Sequence, residues 1–315
     1  MISYYIHKLI QTAASLKLAI LLPGTTWKNW VINYTPKKFV FNNHVVLGFW
    51  DKKLMHFGDH LFHLGLIRSL VSEGIKVTVA GDVPLKPIFK RLNINFIKPQ
   101  DLKNVSGALV ISKDDIFFKH LRLNRKNAFL GINYRFTKSK KRIGEIIFNE
   151  TKNSLNSFGV PIEMNENHWS TEGLIPEGAR PFDIPTNSIL YNDFVASGAL
   201  SAYQRLTFIL NLGRTTAEKG FKIVYVGNPR EKKQRIAPHF ISKDLRGETL
   251  VSELFSLTQN PNVKGIITYD TLWAHVGNIA GKKVHVVGKQ ERGQNAIWKR
   301  FVPMSKYISS DIETY

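Results

Sequence analysis

The sequence contains no cysteine, and no stretch of it is long and apolar enough to cross a membrane as a helix. The first absence excludes disulfides, thiol nucleophiles and cysteine-ligated metals, and it fits a reducing compartment. The N-terminal residues also lack the apolar core and the small-residue cleavage site of a signal peptide. We therefore expect a cytoplasmic protein, either soluble or attached peripherally to the inner face of the cytoplasmic membrane.

Acidic residues are scarce relative to basic ones. The 315 residues include 24 Asp and Glu against 44 Lys and Arg, which gives a formal net charge of +20. Such an excess predicts a polyanionic partner: a nucleic acid, an anionic membrane surface or a phosphorylated glycolipid. No RNP or C2H2 zinc-finger pattern is present, so no specific nucleic acid is expected.

Apolar runs alternate with helical patterns along most of the chain. His44–Trp50 and Ile75–Ala80 read as strands with a helix between them, which predicts a doubly wound α/β sheet. A segment rich in Pro, Gly and Asn then separates two halves. We predict an N-terminal extension at 1–42, a first domain at 43–165, a linker at 166–187 and a second domain at 188–315. The final helix of the second domain is expected to return to the first.

The predicted extension mixes aromatic residues with lysines. Trp27, Trp30 and Tyr34 precede Lys37 and Lys38. This composition is typical of a membrane interface, where aromatic rings lie at the level of the lipid headgroups and lysines contact anionic lipids. A segment packed against the protein's own body would have the same composition. Both interpretations remain open from sequence.

The stretch from Tyr269 to Gly288 has the most informative pattern. An apolar strand is followed by the polar pair Asp270-Thr271, a helix and a second strand. Either polar residue can cap the helix, whose first N–H groups and dipole favour phosphate. His275 lies one turn further on, near enough to add a donor. An ordinary capped helix is the alternative.

This stretch resembles the D-T-x-x-x-H-x-x-x-x-x-G signature of glycosyltransferase family 9, the ADP-heptose:lipopolysaccharide heptosyltransferases. Asp270, Thr271, His275 and Gly281 match it, and Leu272 stands where the family usually has Gly. The resemblance implies that Asp270, Thr271, Leu272 and His275 bind the donor.

A second motif of the same family lies near the N-terminus. Gly58-Asp59, followed by Leu66, Arg68 and Leu70, resembles G-D-x-[LV]-x-x-x-P-x-[LI]-[RK]-x-L, with Gly65 in place of the Pro. Transfer with inversion needs a base that deprotonates the attacking hydroxyl, and the resemblance implies that Asp59 is this base. The alternative is that Asp59 is a helix N-cap.

The residues around Asp59 suggest an acceptor site. His60, Lys52, Lys53 and Arg135 are predicted to contact an anionic acceptor. His60 also has histidine neighbours at metal-ligand spacing, but no cysteine or carboxylate cluster completes a metal site, so polar residues of a cleft are favoured. The basic segment 119–142, which contains Arg135 and several aromatics, has three interpretations: a nucleic-acid channel, a glycolipid surface or a solvated loop.

Two further family-like features lie in the second half. Gly227 to Glu231 resembles the family's strand-Gly-x-x-x-Glu turn, which implies that Glu231 accepts from ribose or sugar hydroxyls. A solvent-exposed helix-starting Glu is the alternative. Ser201 falls near the position where the family has a phosphate-binding Lys, and we assign it to the donor site. Residues 244–249 resemble the family's D-L-x-G-x-[TS] turn.

The resemblance spans roughly Val45 to Gly288 and implies a GT-B fold, with two Rossmann-like domains facing each other across a cleft. It implies an inverting, metal-independent glycosyltransferase without a cofactor. The donor would be an ADP- or UDP-linked sugar, heptose being one candidate, and the acceptor a lipopolysaccharide, lipooligosaccharide or other bacterial surface glycan. The alternatives are a catalytically altered GT-B binding protein and a basic nucleic-acid-binding protein.

Overall fold

The computed structural model describes residues 26–28, 31–49, 57–81, 83–112, 126–132, 141–194, 200–269 and 271–287. The chain divides into two compact units, residues 1–168 and 169–315. Within the described ranges, no helix combines the length and apolarity needed to cross a membrane.

The first unit contains a seven-stranded sheet, in which five parallel strands are extended at one edge by two antiparallel ones. Its strands in chain order are β1 (Thr26–Lys28), β2 (Val31–Tyr34), β3 (His44–Gly48), β4 (Lys76–Ala80), β5 (Asn95–Ile97), β6 (Ala108–Ser112) and β7 (Ala128–Ile132). Their order across the sheet is β1-β2-β7-β6-β3-β4-β5. The described helices are α1 (Phe57–Leu61), α2 (Leu64–Ser72), α3 (Lys86–Phe89) and α4 (Ile143–Asn156), with 3-10 turns at Lys90–Leu92, Pro99–Asn104 and Glu166–His168.

The second unit contains five parallel strands in the order β10-β9-β8-β11-β12. The strands are β8 (Ser188–Asn192), β9 (Lys222–Tyr225), β10 (Ile241–Asp244), β11 (Val263–Tyr269) and β12 (Lys283–Val287). The described helices are α5 (Leu200–Glu218), α6 (Pro229–Gln234), α7 (Leu254–Gln259) and α8 (Leu272–Ile279), and a 3-10 turn at Val251–Glu253 precedes α7.

Close helix-to-sheet packing in the second unit depends on a glycine of α8. A Cβ on Gly277 would lie 2.5 Å from Ile266 Cδ1 and 2.9 Å from Val284 Cγ2. Both contacts are shorter than real Cβ atoms make, so α8 lies against β11 and β12 at a separation that only glycine permits. The helix that follows β11 is thereby fixed on the sheet.

The α/β class predicted from sequence is confirmed, and both sheets are mostly or wholly parallel. The sequence pattern predicts strands at Ser188–Asn192 and Val263–Tyr269 and a helix at 272–280. β8 and β11 have these bounds, and α8 ends one residue earlier. The residue pattern predicts the helix between the first two strands as one element from His60 to Glu73. That prediction is wrong, because the chain breaks at Phe62–His63 between α1 and α2. The N–H groups of these two residues bond three residues back, which tightens the turn.

Part of the predicted extension is a component of the first sheet. β2 pairs with β7, and Val31 and Tyr34 are buried there. Tyr34 therefore packs in the core. For this residue, packing against the protein's own body is favoured over contact with a membrane interface. Residues 1–25 and Trp30 lie outside the described part of the chain. The domain boundaries themselves remain predictions.

The segment predicted as a linker is anchored at both ends. Near its start, Arg68 donates to the carbonyl of His168 at 2.7 Å. Further on, Asn260 and Asn262 donate from their side chains to the carbonyls of Phe182 and Ile184 at 3.0 and 2.7 Å. Its described residues are thus fixed against the unit to which each belongs.

The strand β7 was not expected. It lies inside the basic segment 119–142, and all five of its residues are buried, including Phe129. Phe129 therefore belongs to the core and is not part of a polyanion-binding surface. Asn127 anchors the start of the strand, because its side chain accepts from Ala108 N at 3.0 Å and donates to Val105 O at 2.9 Å. The other predicted ligand residue of this segment, Arg135, lies outside the described residues.

Candidate functional site

Each sheet has one point where the strand order reverses. In the first unit this point lies between β3 and β6, and in the second between β8 and β11. Connections leave toward opposite faces there, which opens a crevice at the carboxyl ends of the strands where ligands of doubly wound sheets bind. The predicted site residues that the structure describes follow β3 in the first unit, and β8, β9 and β11 in the second.

Asp59 lies in the first turn of α1 and is 6% exposed. The helix begins at Phe57, so Asp59 is inside it, and the N-cap alternative is wrong. His60 and His63 are buried beside it and pack on Phe49, which follows β3. The ring centroids of Phe49 and His60 are 4.7 Å apart and stacked, and those of Phe49 and His63 are 4.8 Å apart and edge-on.

This arrangement fixes Asp59 after β3, on a short helix locked by aromatic packing. Among the described residues, no three His, Asp or Glu side chains are grouped so as to hold a metal ion. Lys52, Lys53 and His56 lie outside the described residues. The acceptor-binding role of His60 remains a prediction, and His60 is only 3% exposed.

The predicted diphosphate site lies where β11 passes into α8. Thr271 is the N-cap of α8, and its Oγ1 accepts from Trp273 N at 3.3 Å and lies 2.8 Å from Thr268 Oγ1. Leu272, half buried, is the first helical residue. His275 is one turn further and 5% exposed. Asp270 lies outside the described residues.

A second predicted residue, Glu231, is held by two asparagines. One carboxylate oxygen accepts from Asn192 Nδ2 at 2.9 Å and the other from Asn228 Nδ2 at 2.6 Å. Asn192 ends β8, and Asn228 is the N-cap of α6. Glu231 is 8% exposed, so the solvent-exposed alternative is wrong. The carboxylate is therefore fixed at the carboxyl ends of β8 and β9.

Gly227 makes room for this carboxylate. Its φ is +157°, and a Cβ there would overlap Glu231 Oε2 and lie 2.9 Å from Glu231 Cδ. A side chain would thus meet both an unfavourable backbone conformation and a steric clash. The Gly-x-x-x-Glu spacing has a direct structural reason at this turn.

Burial raises the pKa of Glu231 from 4.5 to about 7, and the nearby Asp193 carboxylate also raises it. The hydrogen bonds from Asn192 and Asn228, and the Arg246 cation, oppose the increase without cancelling it. Glu231 therefore gains or loses its proton near neutral pH.

This pKa predicts a pH-dependent stability. Between pH 4.5 and 7 the folded protein holds a proton on Glu231 that the unfolded chain has released, so the free energy of unfolding falls as the pH rises. The total loss is at most about 3 kcal/mol. Urea unfolding from pH 4.5 to 8 should show this decrease in the wild type and lose it in Glu231→Gln.

The matched control for this prediction is Glu163→Gln. Glu163 is an exposed carboxylate that pairs with Lys152 at 2.7 Å, far along the chain from α6. The control should keep the wild-type decrease. An identical pH dependence in the wild type and Glu231→Gln would contradict the assignment.

A buried ionic cluster surrounds Glu231 and was not predicted from the sequence. Asp193 follows β8 directly and accepts from the hydroxyls of Tyr191 and Tyr225 and from Arg235 at 3.2 Å. Burial, with the Asp193 charge, raises the pKa of both tyrosines, so they remain neutral donors. Arg246 completes the cluster. In the sequence, only the position of Asp193 directly after a strand could have indicated this cluster.

Ser201 lies in the first turn of α5, which follows β8, and its side chain is outside the described residues. The structure thus places four of the predicted donor residues, Ser201, Glu231, Thr271 and Leu272, after strands β8, β9 or β11. His275 lies one helical turn beyond the carboxyl end of β11.

Neither a protein-family model nor a characterised protein matches the sequence. Solved structures do match the fold. A family 9 glycosyl transferase from Veillonella parvula aligns with a TM-score of 0.55 at 14% identity, over 85% of this chain and 86% of that one. Escherichia coli heptosyltransferase WaaC with ADP aligns with a TM-score of 0.53 at 11% identity, over 84% and 92%.

A third structure is the E. coli ADP-heptose lps heptosyltransferase II, with a TM-score of 0.51 at 12% identity, over 84% of this chain and 89% of that one. All three alignments include both units. At these identities the likeness shows the fold, and the same family was indicated independently by the motifs. The chain has the fold of the glycosyltransferase family 9 structures, and the predicted resemblance to that family is confirmed at the level of the fold.

Proposed function

We propose that this chain is an inverting glycosyltransferase that moves a sugar from a nucleoside-diphosphate donor to an anionic bacterial surface glycan. One observation carries the proposal: α8 begins directly after β11, beside the point where the strand order reverses, with Thr271 as its cap. The first N–H groups of a helix have no partner inside it, and with the helix dipole they favour a diphosphate. The fold shared with family 9 structures supports the same assignment.

In this proposal the donor binds the second unit. The N-terminal turn of α8, together with Asp270, Thr271, Leu272 and His275, holds the diphosphate, and Ser201 lies beside it at the start of α5. Glu231 accepts a hydroxyl of the ribose or the sugar. Backbone N–H groups stabilise the leaving phosphate, so the reaction needs no metal.

The acceptor binds the first unit. Asp59 takes the proton from the attacking hydroxyl as the bond to the anomeric carbon forms and the nucleoside diphosphate leaves from the opposite face. His60, Lys52, Lys53 and Arg135 contact the acceptor's anionic groups. Peripheral contact with the inner face of the cytoplasmic membrane brings a lipid-linked acceptor to Asp59.

The donor is an ADP- or UDP-linked sugar. The structural neighbours include one solved with ADP and one described as an ADP-heptose lps heptosyltransferase. A melting-temperature panel of ADP, UDP, GDP and CDP tests the nucleotide, because a ligand that binds the folded state raises the melting temperature. An increase with ADP or UDP is expected. No increase with any of the four would contradict the proposal.

The diphosphate site is tested by comparing Thr271→Ala with Thr271→Ser. Loss of the cap costs about 1 kcal/mol of stability, whereas serine keeps the hydroxyl. We expect Thr271→Ala to weaken nucleoside-diphosphate binding about tenfold and leave nucleoside-monophosphate affinity nearly unchanged. Isothermal titration with ADP, AMP, UDP and UMP measures both affinities. Equal weakening of diphosphate and monophosphate would place the diphosphate elsewhere.

A further inference from the structure

Arg246 is a buried arginine, 2% exposed, in the turn that follows β10. Its Nε and Nη2 donate to the two oxygens of Asp244 at 2.9 and 2.7 Å, which is a bidentate pair. Its guanidinium also lies over the ring of Tyr225, 3.9 Å from the centroid. Asp244 ends β10 and Tyr225 ends β9, so the guanidinium is fixed by two neighbouring strand ends.

The remaining nitrogen of Arg246 contacts the end of α6. Nη1 donates to the carbonyl of Arg235 at 2.8 Å and to the carbonyl of Glu231 at 3.3 Å. Arg235 is the C-cap of α6, and a carbonyl at a helix end has no partner within the helix, so the contact satisfies a group that α6 leaves open. The Glu231 carbonyl also accepts from Arg235 N at 3.1 Å. Nη1 of Arg246 thus holds the backbone of the residue whose carboxylate lies between Asn192 and Asn228.

The turns after β9 and β10 are joined at two further points. Gly247 N donates to Gly227 O at 2.8 Å, and Lys232 pairs with Glu248 at 3.3 Å. The lysine pair is half exposed and contributes little. Arg246 is the buried member of this connection, and it acts beside the bonds that Glu231 makes with Asn192 and Arg235 makes with Asp193 at the end of β8.

We propose that Arg246 is a positioning residue that sets the place of the Glu231 carboxylate, and through it the preference of the site for a nucleotide with ribose hydroxyls. The inference rests on the proposed function, in which Glu231 accepts a hydroxyl of the donor. A carboxylate distinguishes a ribose hydroxyl from the hydrogen of a deoxyribose only when it is held at hydrogen-bond distance from that position. A carboxylate that has moved away binds water instead.

The charges around Glu231 agree with this role. The hydrogen bond to Asp244 raises the pKa of Arg246, which remains a cation. Burial and Asp193 raise the pKa of Glu231, whereas the Arg246 cation lowers it. Loss of the Arg246 cation should therefore raise the pKa of Glu231 further, even with no nucleotide present.

The test uses Arg246→Gln, Arg246→Lys and the control Arg180→Gln. Arg180 binds Glu253 at 2.7 Å and the carbonyl of Glu248 in the same turn, and neither contact involves α6. Titrations use ADP and UDP and their 2′-deoxy and 3′-deoxy forms. The wild type should bind the ribonucleotide about tenfold more tightly than at least one deoxy form, as expected for a hydrogen bond to a charged group.

Arg246→Gln should reduce this ratio to less than about twofold, chiefly by weakening the ribonucleotide. Arg246→Lys, which keeps the charge without the planar fork, should give an intermediate ratio, and Arg180→Gln should keep the wild-type ratio. A folded Arg246→Gln that retains the full ratio would overturn the proposal, as would a wild type that binds both forms equally. If Arg246→Gln does not fold, the ratio in Arg246→Lys decides.

A second measurement does not depend on nucleotide. Carbon-13 NMR of the Glu231 carboxyl should show a higher titration midpoint in Arg246→Gln than in the wild type or Arg180→Gln. If neither ADP nor UDP binds the wild type, the proposed function fails and this midpoint still tests the role of Arg246. An unmoved midpoint would then overturn the inference.

Discussion

Replacing Asp59 with Asn should reduce the rate of sugar transfer by about 10²- to 10⁴-fold, because the amide cannot take the proton of the attacking hydroxyl. Asn is nearly isosteric with Asp, so the packing of His60 and His63 on Phe49 is retained. The affinity for the donor nucleotide should not change, since the donor is proposed to bind the second unit. Release of the nucleoside diphosphate from a panel of ADP- and UDP-sugars, with lipopolysaccharide acceptors, measures the rate.

The control for this prediction is Asp101→Asn. Asp101 is a carboxylate of the same unit whose described role is to accept from the backbone N of Lys98 at 3.3 Å. It should keep the wild-type rate. If Asp59→Asn transfers sugar as fast as the control, another group is the base. Binding of a nucleotide by the wild type without any transfer would instead favour a catalytically altered binding protein.

Gly227→Ala should weaken donor binding about tenfold or more and lower the free energy of unfolding by about 2–3 kcal/mol. The new Cβ overlaps Glu231 Oε2, so the carboxylate has to leave its asparagines. The backbone also has to hold a φ of +157°, which L residues rarely adopt. Urea unfolding and nucleotide titration measure the two effects.

Gly220→Ala separates backbone strain from displacement of Glu231. Gly220 has a φ of +88°, and a Cβ there meets no atom within 4 Å. It should cost about 1 kcal/mol and leave nucleotide affinity unchanged. Normal donor binding by Gly227→Ala would contradict the assignment of Glu231 to the donor site.

The sequence predicted those elements whose pattern is local. A polar pair follows the seven residues of β11, and Thr271 caps α8 as its residue type favours. By contrast, β10 has four residues, two of them charged, and β7 has five within a strongly basic segment. Such short strands are defined by their neighbours in the sheet, which composition does not reveal.

The same reasoning explains the site. Glu231 could be assigned to the predicted donor site because its spacing from Gly227, a local feature of one turn, resembles a motif of the family. Arg246 and Asp193 were not assigned roles, since charged residues are usually exposed and become buried only when partners from other elements satisfy them. Those partners, among them Asp244 and Tyr225, come from other strands brought together by the fold.

Amide hydrogen exchange, measured by NMR with and without whichever of ADP or UDP raises the melting temperature, shows whether a nucleoside diphosphate binds at the carboxyl ends of β8, β9 and β11. We predict slower exchange in the first turn of α8, Leu272–His275, and in the turn from Asn228 to Glu231. Protection confined to the first unit, or to the opposite edge of the second sheet near Lys222 and Lys283, would contradict binding at these strand ends.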